Sequence, residues 1–267
     1  MRWAWIYAEG FRLMPKVLAQ YRADTIATVI GDLLYRAVRL AFIGVIFAVT
    51  PQLGQWTAWE VMLMWSMAML ADAIGNFLFA FPNRVDSYFH SGQFDYARAR
   101  PVPIVLWANL DASHPRYAMV VITFVATTAV AAANSGIFES LGQTGLLLLA
   151  LLCTVFVLTG MRLIMFLSCA WFTRSRQFFH GIASFMDHSR YPIDIMGQPL
   201  RGVLTAIPIA FTVFYPVAFA LRPDEYLMPG VLGLPVGLAM MAGGLVTLRF
   251  ALRKYQSVGT PEVWGAS

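Results

Sequence analysis

Long apolar stretches, separated by short polar intervals rich in arginine, constrain this chain more than any other feature. A helix needs about 20 apolar residues to cross a bilayer, where no water satisfies a bare backbone. Six stretches of the 267-residue sequence qualify: about Thr25–Val49, Ala58–Phe81, Tyr117–Ala133, Thr144–Phe172, Gly202–Leu221 and Pro229–Phe250. Charged residues are only 12% of the chain, against about 25% in a soluble domain. No polar block is long enough to build a separate core. The expected fold is therefore all-α and polytopic, with six transmembrane helices in one unit over residues 25–259.

Residues 1–24 are interrupted by Glu9, Arg12, Pro15, Lys16 and Arg22, so they lack the apolar run of a cleavable signal. Trp3, Trp5, Ile6 and Phe11 suit an amphipathic helix lying in the membrane interface. Cys153 and Cys169 share one apolar stretch. Sixteen residues of helix separate them by roughly 24 Å, beyond disulfide reach.

Basic residues collect in cytoplasmic loops. With the N-terminus inside, fifteen of the 19 Lys and Arg fall in the termini, the 82–116 loop or the 173–201 loop, against Arg222 alone outside. Both termini, with a short tail at 260–267, are then cytoplasmic. The net charge of +5 follows from this topology and forms no continuous nucleic-acid face.

The chain has no glycine-rich loop ending in Lys-Ser or Lys-Thr, hence no ATP site of its own. Its four histidines are scattered, with no metal-ligand spacing and no nucleophile–base grouping. Charges within the spans are more informative, because they usually face a bundle interior or a wet cavity. Asp32, Arg36 and Arg39 share one helical face near the cytoplasmic end of the first span. They suit either interfacial anchoring by snorkelling or a substrate path. Asp72 and Arg162 lie at similar depth in the second and fourth spans, and are expected to form an interhelical ion pair with Asn76 one turn below Asp72. That pair could pin helices together or serve transport.

The longest polar interval, 82–116, holds Gly92-Gln93-Phe94-Asp95-Tyr96, then Arg98, Arg100 and Pro101. Aromatic and Arg side chains are enriched at the centres of interfaces, which makes this a candidate docking element. It resembles the Gly-x-Leu-Asp-x-x-Leu-x-Arg-Pro signature in a permease family of the type-two ATP-binding-cassette exporters. Phe94 stands where Leu is usual, and Arg98 where an apolar residue is usual. Tyr21-Arg22-Ala23-Asp24, Arg190-Tyr191-Pro192 with Pro199-Leu200-Arg201, Pro208-Ile209-Ala210-Phe211 with Tyr215-Pro216, and Tyr255-Gln256-Ser257-Val258-Gly259 resemble further family segments in the same order.

The resemblance implies a six-span permease half of an exporter in a bacterial plasma membrane. It implies a second permease copy or paralogue completing the pathway. It also implies two cytoplasmic ATPase subunits, carrying ATP and Mg, that act on a coupling helix at Gly92–Pro101. The residues alone leave two other classes open. A gradient-driven transporter would show inverted repeats and midplane ion sites, and a membrane scaffold would need no coupling loop.

Overall fold

The computed structural model describes residues 9, 12, 22–90, 93–114, 116–168, 171 and 190–254. The expected interfacial helix over 1–24 and the tail at 260–267 fall almost wholly outside these residues, as does Gly92. Among the described residues the chain is helical, with no strand. Five long helices form the bundle: α1 (Arg22–Val49), α2 (Ala58–Leu78), α6 (Arg116–Asn134), α7 (Leu141–Leu167) and α10 (Leu227–Lys254). Three short helices, α3 (Val85–His90), α4 (Gln93–Arg98) and α5 (Ile104–Ala112), follow α2. Two more, α8 (Gln198–Ala206) and α9 (Phe214–Leu221), precede α10.

Four of these helices are long and apolar enough to cross a membrane: Ala58–Leu78, Tyr117–Asn134, Leu141–Leu167 and Leu227–Lys254. At 28 residues α1 has the length, but every 18-residue window of it holds at least three charges, Asp32, Arg36 and Arg39 among them. The expected span at 202–221 is corrected: it is two short helices with a break over 207–213. Pro208 lacks an amide hydrogen and clashes with the preceding turn. It also pushes Ile207 out of the helical region, to φ −88°, ψ 96°. Pro216 sits in the first turn of α9, where the missing donor costs nothing.

Local signals set the starts of helices. Thr57 and Glu60 form a reciprocal capping box at the head of α2: the Thr57 amide donates to Glu60 Oε2 at 2.7 Å, and the Thr57 hydroxyl accepts from the Glu60 amide. Pro103 occupies the N-cap position of α5, at a φ and ψ that cannot continue α4.

The bundle has two distinct ends. At one, which we call the platform end, Ala80, Phe81, Val85, Tyr88 and Phe94 form a buried cluster with Leu163 and Leu167 of α7 and Leu248 and Ala251 of α10. Lys254 lies over Trp171 at 5.8 Å at this end. The opposite, clasp end gathers three connections. Trp56 donates its indole N–H to Asp194 at 2.8 Å. Arg222 donates to Gln55 O at 2.8 Å and pairs with Glu60 at 2.9 Å.

This arrangement corrects a second expectation. Residues 190–197 were expected in one loop, on the same side as 82–116. They sit instead at the clasp end, with 50–57 and 222–226, because Asp194 satisfies the buried Trp56 indole. Helices α8 and α9 thus leave the clasp end and return to it, and Phe214 packs edge-on to Trp56 with ring centroids 5.8 Å apart.

Candidate functional site

The platform is built on an aromatic core. Tyr88 of α3 packs on Phe94 of α4 at 5.4 Å and on Trp107 of α5 at 5.7 Å. The Tyr88 hydroxyl donates to Asp111 Oδ2 at 2.8 Å. Burial first, and this bond to the carboxylate second, push its pKa well above the ordinary tyrosine value. Buried Asn109 fastens α5 to the end of α2. Its amide nitrogen donates to Leu78 O at 2.6 Å, and its oxygen accepts from the Phe81 amide at 3.3 Å. It thereby satisfies a helix-end carbonyl that has no partner within its own helix.

Between the three short helices lies a cavity of about 590 Å³, walled by Asn83, Arg84, Tyr88, Tyr96, Trp107 and Asp111. Arg84 approaches Asp111 at 3.9 Å. Tyr96 is 62% exposed, and Arg100 stacks on it at 4.5 Å while donating to its hydroxyl at 2.6 Å. A stacked Arg–Tyr pair beside an aromatic cleft can take up a partner side chain by cation–π and hydrogen-bond contacts.

The candidate docking residues are divided by this geometry. Gln93, Tyr96, Arg100 and Pro101 are exposed, and Asp95 is half-buried. Phe94 is not a contact residue: only 1% of it is exposed, because it anchors α4 within the platform core. Arg98 lies in the last turn of α4, and its side chain falls outside the description.

The intramembrane charges also divide. Asp72 and Arg162 form the ion pair that their depth suggests. Asn76 joins it, with Nδ2 donating to Asp72 Oδ2 at 2.9 Å and Oδ1 accepting from Arg162 Nη1 at 3.2 Å. Arg36 does not snorkel to an interface. It is buried against α6, where it donates to the Thr123 hydroxyl and lies 3.8 Å over the Phe124 ring. Arg39 lies 5.3 Å over Tyr35. Asp32 is on α1, with its side chain outside the description.

Sequence reasoning missed Tyr88, Trp107, Asp111 and Asn83 in the platform, and Trp56, Asp194 and Arg222 in the clasp. Asn83 follows Asn76 by seven residues, but α2 ends between them at Leu78, so helical spacing gave no sign of their contact. The clasp gave no sign at all, since Trp56 is 138 residues from Asp194 and Glu60 is 162 residues from Arg222. Among the described residues no group of acidic, His or Cys side chains could hold a metal ion.

A family model described as ABC-2 family transporter protein matches residues 33–259. No curated protein and no solved structure matches the chain.

Proposed function

The chain belongs to the ABC-2 transporter family, a family of membrane subunits, and from that premise we propose that it is the permease half of an ATP-driven exporter. Two copies, or this chain and a paralogue, form the pathway. Two separate ATPase subunits, which bind ATP and Mg, dock on the platform from the cytoplasm of a bacterial cell. The observation that carries this reading is the platform itself. Three short helices are locked to the bundle through a buried aromatic core, yet they present Gln93, Tyr96, Arg100 and a cleft outward. A rigid base with an exposed aromatic and cationic surface suits a partner that must push on the bundle.

A count of crossings supports the same reading. Helices α1, α2, α6, α7 and α10 each run from one end to the other, and the chain changes ends once more between Trp171 and Arg190. Six spans would put Arg22 and Lys254, the outer limits of the described helices, on the platform side, which is taken as cytoplasmic from its Arg content.

Purification of the tagged chain from its native membrane tests the docking surface. A P-loop ATPase is expected to copurify. Tyr96→Ala with Arg100→Glu should reduce the ATPase retained at least tenfold, with membrane insertion unchanged. Phe94→Ala, by contrast, should lower thermal stability, because it opens a cavity in the platform core. Normal ATPase retention by the exposed-surface double variant would overturn the docking assignment.

A further inference from the structure

Asn76 links two features that the fold otherwise keeps apart. Its Oδ1 accepts from Arg162 and also from Asn83 Nδ2, at 2.6 Å. Its Nδ2 donates to Asp72. Both lone pairs of the amide oxygen are thus used, one toward the ion pair and one toward the cleft. Asn83 is an exposed member of the short 3-10 turn Phe81–Arg84, and it walls the platform cavity. A continuous side-chain chain therefore runs from the cleft to the one acid–base pair joining α2 and α7 among the described residues: Asn83, Asn76, then Asp72 with Arg162.

The pair is not sealed. Its side chains are 27% and 20% exposed for Asp72 and Arg162. In a span, partly exposed charges demand either a wet space or compensating hydrogen bonds. Asn76 supplies such bonds to both charges. There is no slack beside it: a methyl at Gly75 would come within 3.0 Å of Thr159 Oγ1 and 3.8 Å of Arg162 Nη1. Small shifts of Asn76 must therefore be felt by the pair, because close-packed polar contacts have few alternative arrangements.

We propose that Asn76 is a positioning residue that couples the cleft to the bundle. An ATPase side chain entering the cleft competes for Asn83, withdraws it from Asn76, and releases the Asp72–Arg162 pair so that α2 and α7 can move apart. The inference rests on the docking reading above.

Spin labels at Trp59→Cys on α2 and Leu148→Cys on α7, both exposed positions, report this motion in the ATPase complex in nanodiscs. Cys153 and Cys169 are replaced by Ala in all samples. ATP with vanadate is expected to shift the interlabel distance in the parent protein. Asn76→Leu should lose the shift while keeping its ATPase, and Asn76→Gln should restore part of it. Asn83→Ala lies at an exposed site and removes the bond that the ATPase is proposed to break, so it should hold the labels at the shifted distance without nucleotide. Nucleotide should then add no further shift, with no fall in melting temperature. A parent that does not respond, or Asn76→Leu and Asn83→Ala variants that shift as fully as the parent, would overturn the inference. So would a melting-temperature loss with an unchanged shift, which marks a merely structural pin. If no ATPase copurifies with the unaltered chain, the docking reading fails first and takes this inference with it.

Discussion

At the scale of single residues, a close approach between α7 and α10 depends on missing side chains. A methyl group at Gly160 would collide with the backbone of Met240, and one at Gly244 would come within 2.7 Å of Leu163 Cβ. Small residues let membrane helices approach to backbone contact, where dispersion replaces the absent hydrophobic drive. Neither α7 nor α10 can yield locally, since the obstruction at Gly160 is main chain. Gly160→Ala should therefore cost about 1–3 kcal/mol by overpacking. Gly145, on the same helix with open space around it, is the matched control. Thermal aggregation in detergent should show a lower midpoint for Gly160→Ala and no loss for Gly145→Ala. Equal midpoints would mean that α7 and α10 are not in backbone contact. The polar residues divide as sharply. Asp72 and Arg162 were legible because a charge deep in a span needs a partner at its own depth. The burial of Phe94 was not legible, because an aromatic residue in a polar interval serves a core or an interface equally well.

At the scale of elements, each end of the bundle is held by a tyrosine bonded to a carboxylate. Tyr88 holds α3 to Asp111 of α5, and Tyr226 bonds Asp194 at 3.3 Å across the clasp. Burial, then the neighbouring Asp194 charge, push the Tyr226 pKa above the ordinary value, as burial and Asp111 do for Tyr88. In the unfolded chain both hydroxyls ionise near pH 10, so above that pH the unfolded state loses protons that the folded state keeps. The stability these hydroxyls provide is complete below about pH 10 and declines as the pH rises further. Tyr88→Phe and Tyr226→Phe should each be less stable at pH 7 by about 1 kcal/mol. Each should also lose stability less steeply between about pH 10 and 12 than the parent. Melting curves across that range check both slopes, and parallel slopes would remove the tyrosines from the alkaline transition. Apolar length made α2, α6, α7 and α10 readable in advance. The pair α8 and α9 was not, since hydropathy measures apolarity and not helix continuity. Pro208 and Pro216 were visible, but prolines inside true spans are common enough that they alone did not mark a break.

At the scale of the whole molecule, the clasp decides the side on which residues 190–201 lie. Placing them on the platform side enlarges the basic-residue asymmetry, because it counts Arg190 and Arg201 there. The Trp56–Asp194 bond moves both to the other side, yet Arg84, Arg100, Arg249, Arg253 and Lys254 still mark the platform. The bias keeps its sign with fewer charges, as expected of a rule that sums many small preferences. Single cysteines can report the side directly. Gln198 and Asp224 are exposed near the clasp, and Gln93 is exposed on the platform. In a background lacking Cys153 and Cys169, a membrane-impermeant maleimide applied to intact cells should label Gln198→Cys and Asp224→Cys. Gln93→Cys should react only after the membrane is opened. A protein with residues 198–221 as one continuous span would instead label Asp224→Cys alone from outside, with Gln198→Cys behaving like Gln93→Cys. Gln198→Cys therefore separates a helix pair that returns to its own side from a helix that crosses, and labelling of that site only in opened cells would overturn the clasp topology.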